Sequence, residues 1–166
     1  MQLTLAAAIA VVAALAEFTI VPYLKIGDAV LQPVLVFGVI WVIAGGLEAG
    51  LVWAFVGGLA LDILGQRPLG ASAFSLLIAI GGASLLGGML KRVRMVSPVV
   101  ATFVASLVFS MILLTTTSLL TAASLSNEAT AMVLPSAVYD TVLAAVVGPL
   151  VIAVLMRRRD ADRAYW

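Results

Sequence analysis

Apolar residues run along this chain in six blocks, about 3–22, 30–45, 47–64, 69–90, 98–123 and 129–156, parted by charges or turn-forming residues. A helix that crosses a bilayer needs about 20 predominantly apolar residues, so each block predicts one span. The second and third blocks are separated only by Gly45, Gly46 and Glu48. Two glycines and a carboxylate interrupt a helix, and the stretch reads as a tight helical hairpin rather than one long rod. The start, Met1-Gln2-Leu3-Thr4, lacks the positive residues of a secretory signal, and no small-residue cleavage site followed by a soluble domain appears. The first block therefore reads as a retained span.

Composition turns this pattern into a class. Of 166 residues, 64% are hydrophobic and 10% charged, with a formal net charge of +1. Soluble domains are about 45–50% apolar and about 25% charged, so this chain cannot build a water-exposed surface. The expectation is an all-α polytopic membrane protein, a single domain over 1–166 made of one bundle of six transmembrane helices, with residues 157–166 as a basic tail. The chain has no Cys and no His, which removes zinc fingers, thiol nucleophiles, a histidine general base, iron–sulfur clusters and disulfides. Nine basic residues against eight acidic ones give no field that would draw nucleic acid.

The positions of Lys and Arg orient the bundle. With six spans, Lys91, Arg92 and Arg94 share a side with Arg157, Arg158, Arg159 and Arg163, whereas the other side holds only Lys25 and Arg67. The positive-inside rule puts both termini in the cytoplasm. The same basic residues are placed to meet anionic lipid headgroups at the cytoplasmic face, each contributing about 1 kcal/mol near the surface, although a simple topology anchor is the plainer role.

Charges inside the spans are the candidate chemistry. At about 1.5 Å of rise per residue, Glu17 and Asp62 lie about 21 Å up their helices from the cytoplasmic face and Asp140 about 25 Å from it. All three fall in the outer third, with Thr117, its hydroxyl neighbours and Tyr139 nearby in the sequence pattern. Carboxylates at this depth face a bundle interior, a cavity or a partner, because each costs on the order of 2.5–3.5 kcal/mol at the bilayer centre and less near the interface. One reading is an outward-facing polar pocket. The plainer one is solvated residues capping helix ends. No nucleophile motif, phosphate loop or metal-ligand spacing accompanies the acids, so neither an enzyme nor a cofactor is expected.

Small residues recur every four positions at Ala6, Ala10 and Ala14 and at Gly50, Ala54 and Gly58. In lipid such faces allow close backbone approach, and they predict helix–helix contacts, within the bundle or with a partner. Gly81, Gly82, Gly87 and Gly88 carry the same signal on the fourth span.

Between Pro33 and Gly70 these features form a recognisable whole. Pro33-Val34-Leu35-Val36, then Gly50, then Phe55-Val56-Gly57-Gly58-Leu59-Ala60-Leu61-Asp62-Ile63-Leu64, then Leu69-Gly70 resembles the MreD family of rod shape-determining membrane proteins. The last span, with Tyr139-Asp140-Thr141-Val142-Leu143 and Gly148-Pro149-Leu150 before a basic tail, looks like the family's ending. Val34 stands where an acid or Asn often follows the Pro, and Asp140 where Asn is usual after the Tyr. The resemblance implies a fold similar to the substrate-binding subunits of energy-coupling-factor vitamin transporters. It also implies a multi-pass protein of the bacterial cytoplasmic membrane, a non-enzymatic scaffold of the cell-elongation complex that regulates lateral peptidoglycan synthesis. Its implied partners are MreC first, then RodA, a class B penicillin-binding protein and the actin-like MreB. Two alternatives rest on the outer acids: a substrate-binding subunit of a vitamin-type transporter, and a proton or ion path.

Overall fold

The computed structural model describes residues 2–23, 29–89, 97–121 and 130–163, without the side chains of Gln2, Ala44, Thr121 and 152–163. The regular elements are six helices: α1 (Gln2–Ile20, extended by a 3-10 turn Val21–Tyr23), α2 (Pro33–Gly45), α3 (Leu47–Leu64), α4 (Ala71–Met89), α5 (Ser97–Thr121) and α6 (Val133–Arg163). Lys91, Arg92 and Arg94 lie outside the described residues, as do the side chains of Arg157, Arg158 and Arg159.

Five stretches are long and apolar enough to span a bilayer: Leu3–Tyr23, Leu47–Leu64, Ala71–Met89, Ser97–Leu120 and Val133–Val151. The exception is α2. Its 13 residues cover only about 20 Å, short of a hydrocarbon core of about 30 Å. The block expected to run as a helix from Val30 begins one turn late, at Pro33. Proline has a fixed φ and no N–H, so it suits the first helical position and stops the helix extending backwards. Residues ahead of it are pushed toward extended backbone, and Gln32 has φ −120° and ψ 72°.

This short helix is the centre of the molecule. Helices α1, α3, α4, α5 and α6 follow one another in an arc, and α2 touches all five. Val34, Leu35, Val36, Val39 and Ile40 of α2 are at most 1% exposed. Among the described residues α1 and α6, the two ends of the arc, do not touch. Outward faces carry large apolar side chains such as Val12, Ile63, Leu85, Leu119 and Val146, a surface suited to lipid.

Small residues set the packing distances. Ala6, Ala10, Ala14 and Ala54 are fully buried, and Gly50 and Gly58 are buried too. A Cβ at Gly58 would lie 2.6 Å from the backbone nitrogen of Ala73, so α3 and α4 meet backbone to backbone. One at Gly50 would strike the Val42 side chain at 2.6 Å, and one at Gly57 would meet Val34 at 2.9 Å and Ala10 at 3.5 Å. Both rows open to a partner on sequence grounds are thus taken up inside the chain. The expected hairpin is present: Gly46, at φ +100°, joins α2 to α3 and donates its N–H to the Val42 carbonyl. An L side chain is strained at that φ.

Candidate functional site

The acids define the site, and each does the same physical task. A helix leaves its first N–H groups without intrahelical partners, and in lipid an unsatisfied group of this kind costs several kcal/mol. The N-cap residue of α2, Gln32, makes no side-chain cap bond. Acceptors come instead from the two ends of the arc. The Val34 N–H donates to Glu17 Oε2 on α1 (3.0 Å), and the Gln32 N–H donates to Asp140 Oδ1 on α6 (2.8 Å). One residue pair earlier in the extended stretch, the Val30 N–H donates to Ser136 Oγ of α6 (3.1 Å). Helices α1 and α6 are therefore joined through the backbone at the start of α2 rather than by touching.

Asp140 is fully buried and its second oxygen accepts from the Ser106 hydroxyl at 2.6 Å. Ser106 belongs to a row on α5, Thr102, Ser106 and Ser110, every four residues and all buried. Ser110 Oγ accepts a long bond from Gln32 Nε2 (3.5 Å), whereas Gln32 Oε1 and Thr102 Oγ1 are buried with no partner among the described residues. Sequence reading missed Gln32, Ser106, Ser110 and Ser136. The four-residue spacing on α5 was the available signal for two of them.

Asp62 serves another helix. Fully buried at the end of α3, it accepts from the N–H groups of Gly70 (2.8 Å, Oδ2) and Ser72 (2.9 Å, Oδ1). It thereby caps α4 across the turn, where Gly70 takes φ +95°, a left-handed conformation natural for glycine. The Leu-Asp and Leu-Gly pairs of the sequence pattern are thus the two halves of one cap. The three acids do cap helix ends, but Asp62 and Asp140 do so from inside the bundle and not as solvated surface groups. Thr117 turns its hydroxyl back to the carbonyls of Leu113 (2.7 Å) and Leu114 (3.1 Å) on its own helix. Tyr139 is half-buried beside Asp140 on α6.

A stack beneath the site stiffens it. Trp53 Nε1–H donates to the Val34 carbonyl (2.9 Å) and its ring stacks on Trp41 at 5.5 Å. Gly38 leaves room for that indole, since a Cβ there would come within 2.9 Å of it. On the outside, Glu17, Phe18, Val21, Pro22, Val30 and Arg67 line a cleft of about 120 Å³. No group of three or more acids placed to hold a metal occurs among the described residues.

Fold and site together define a multi-pass helical membrane protein whose buried acids are engaged in holding backbone. Residues 1–158 match the family described as rod shape-determining protein MreD, and the chain belongs to that family. No curated protein and no solved structure matches it. Membership assigns the chain a role in determining rod shape.

Proposed function

We propose that the protein is a non-enzymatic scaffold of the cell-elongation complex in the bacterial cytoplasmic membrane. In this reading both termini are cytoplasmic, the chain binds MreC, and through it the assembly of RodA, a class B penicillin-binding protein and MreB is coupled to lateral wall synthesis. The observation that carries the reading is the engagement of Glu17, Asp62 and Asp140 in backbone hydrogen bonds. A chain that invests its few intramembrane acids in rigidity, in a family named for cell shape, suits a structural role.

The rows at Ala6, Ala10 and Ala14 and at Gly50, Ala54 and Gly58 are buried, so a partner helix has to use another face. On α4, a Cβ at Gly81, Gly82 or Gly88 would meet nothing within 4 Å. Such a face permits the close approach that helix pairs in lipid use. The cleft at Glu17 does not favour the vitamin-transporter reading, because its volume of about 120 Å³ falls below the roughly 300–1,000 Å³ of small-molecule sites.

Affinity purification of the tagged chain in mild detergent, with co-eluting proteins identified, tests the proposal. MreC is expected to co-elute, and its recovery should fall at least about fivefold for Gly82→Leu, which adds bulk on the open α4 face. Recovery of an ATPase module in place of MreC would overturn the scaffold reading.

A further inference from the structure

The cleft between the end of α1 and the α3–α4 turn is lined by one carboxylate and one guanidinium, Glu17 and Arg67, on either side of an apolar wall of Phe18, Val21, Pro22 and Val30. Opposite charges sharing a small cleft would ordinarily pair, yet no ion pair joins them among the described residues. Each has bonding capacity left. Glu17 is half-buried and uses Oε2 for the Val34 N–H, and its Oε1 accepts no hydrogen bond among the described residues. Arg67 is exposed and makes a single long side-chain bond among the described residues, Nη1–H to Ser72 Oγ at 3.4 Å; the other donors of its planar fork have no partner among those residues.

The level of the cleft narrows its ligand. Its lining includes Pro22, the residue before Tyr23, which is 88% exposed at the end of the α1 span. An exposed tyrosine just past a span sits where the aromatic belt meets lipid headgroups, and an arginine there reaches for phosphate. A ligand at this depth that offers a cation to Glu17, an anion to Arg67 and hydrocarbon to Phe18 and Val21 is a zwitterionic phospholipid. A volume of about 120 Å³ suits a headgroup fragment rather than a whole metabolite. We propose that the cleft formed by Glu17, Arg67 and Phe18 is a headgroup site for a primary-amine phospholipid, with its ammonium donating to Glu17 Oε1 and its phosphate accepting from Arg67.

The amine has to be primary. A trimethylammonium has no N–H to donate, and a glycerol headgroup has no cation, so the site distinguishes phosphatidylethanolamine from phosphatidylcholine and from phosphatidylglycerol. Charge-assisted hydrogen bonds are roughly twice as strong as neutral ones, and one such bond is enough for about a tenfold preference.

Native mass spectrometry of the purified full chain, titrated separately with the three lipids, tests this. The wild type is expected to bind phosphatidylethanolamine about tenfold tighter than the other two. Glu17→Gln should reduce it to their level, because the amide keeps an oxygen for the Val34 N–H and removes the anion. Arg67→Gln should weaken all three lipids, which share the phosphate. Equal affinity of the wild type for the three lipids would overturn the proposal and requires no variant to fold. Phosphatidylethanolamine binding unchanged in both variants, with helicity by circular dichroism intact, would overturn it as well.

Discussion

Asp140 is the residue at which chemistry and architecture part company. Its Oδ1 accepts from the Gln32 N–H and its Oδ2 from the Ser106 hydroxyl. An asparagine in the same pose keeps the first bond with its oxygen and donates from its amide to the Ser106 oxygen, since a hydroxyl both gives and accepts. This is the physical reason an Asp can stand where the resemblance leads one to expect an Asn: the position needs two polar atoms in a plane, and either side chain supplies them. We predict that Asp140→Asn shifts stability by less than about 1 kcal/mol. Asp140→Ala should cost about 2–6 kcal/mol, because the N–H of Gln32 and the hydroxyl of Ser106 are left unpaired at roughly 1–3 kcal/mol each. Thermal unfolding in detergent separates the two cases. Asp62→Ala should cost about 1–2 kcal/mol, the usual scale for losing a helix cap. An expected depth for these acids follows from counting residues along their helices from the cytoplasmic ends. Their partners are not legible that way, because each cap is delivered by a different helix: Glu17 reaches Val34 and Asp140 reaches Gln32 across 17 and 108 positions of chain.

At the scale of elements, glycines that look alike in the sequence divide by what stands opposite them. Gly58 faces the Ala73 backbone, which cannot yield, whereas a Cβ at Gly82 would meet nothing. Gly58→Ala should therefore destabilise by about 1–3 kcal/mol through overpacking. Gly82→Ala should be neutral or stabilising by up to about 1 kcal/mol, since alanine loses less backbone entropy in a helix; parallel melting curves compare them. The four-residue spacing predicts that Gly50, Ala54 and Gly58 form a contact face, and all three are buried in the structure. Spacing carries no information on whether the neighbour is a helix of this chain or another protein, and here Gly58 meets α4 while Gly50 meets Val42 of α2. The hairpin at Gly46 was readable because a positive φ selects glycine locally. The late start of α2 was signalled by Pro33, whose ring forbids an earlier helical turn, but a count of apolar residues alone overlooked it.

For the molecule as a whole, the short central helix explains why the polar groups gather at one end. A helix of 13 residues surrounded by longer ones ends inside the bundle, and the N–H groups of Gln32 and Val34 at its start are met there by Asp140 and Glu17, while Ser136 takes the Val30 N–H of the extended stretch before it. Apolar blocks made the helical membrane class plain, because lipid imposes a length and an all-round apolar surface. They could not reveal that one block would be enclosed by the other five. The central claim is that the buried acids serve as hydrogen-bonding struts of a shape-determining scaffold and not as ionisable groups in a reaction or a proton path. The most direct test is complementation by Asp140→Asn in a rod-shaped bacterium depleted of its own family member. The variant retains both hydrogen bonds and cannot ionise, so the account predicts cells of normal rod width and length. Round cells, with the variant present in the membrane at wild-type level and equally resistant to heat, would contradict it.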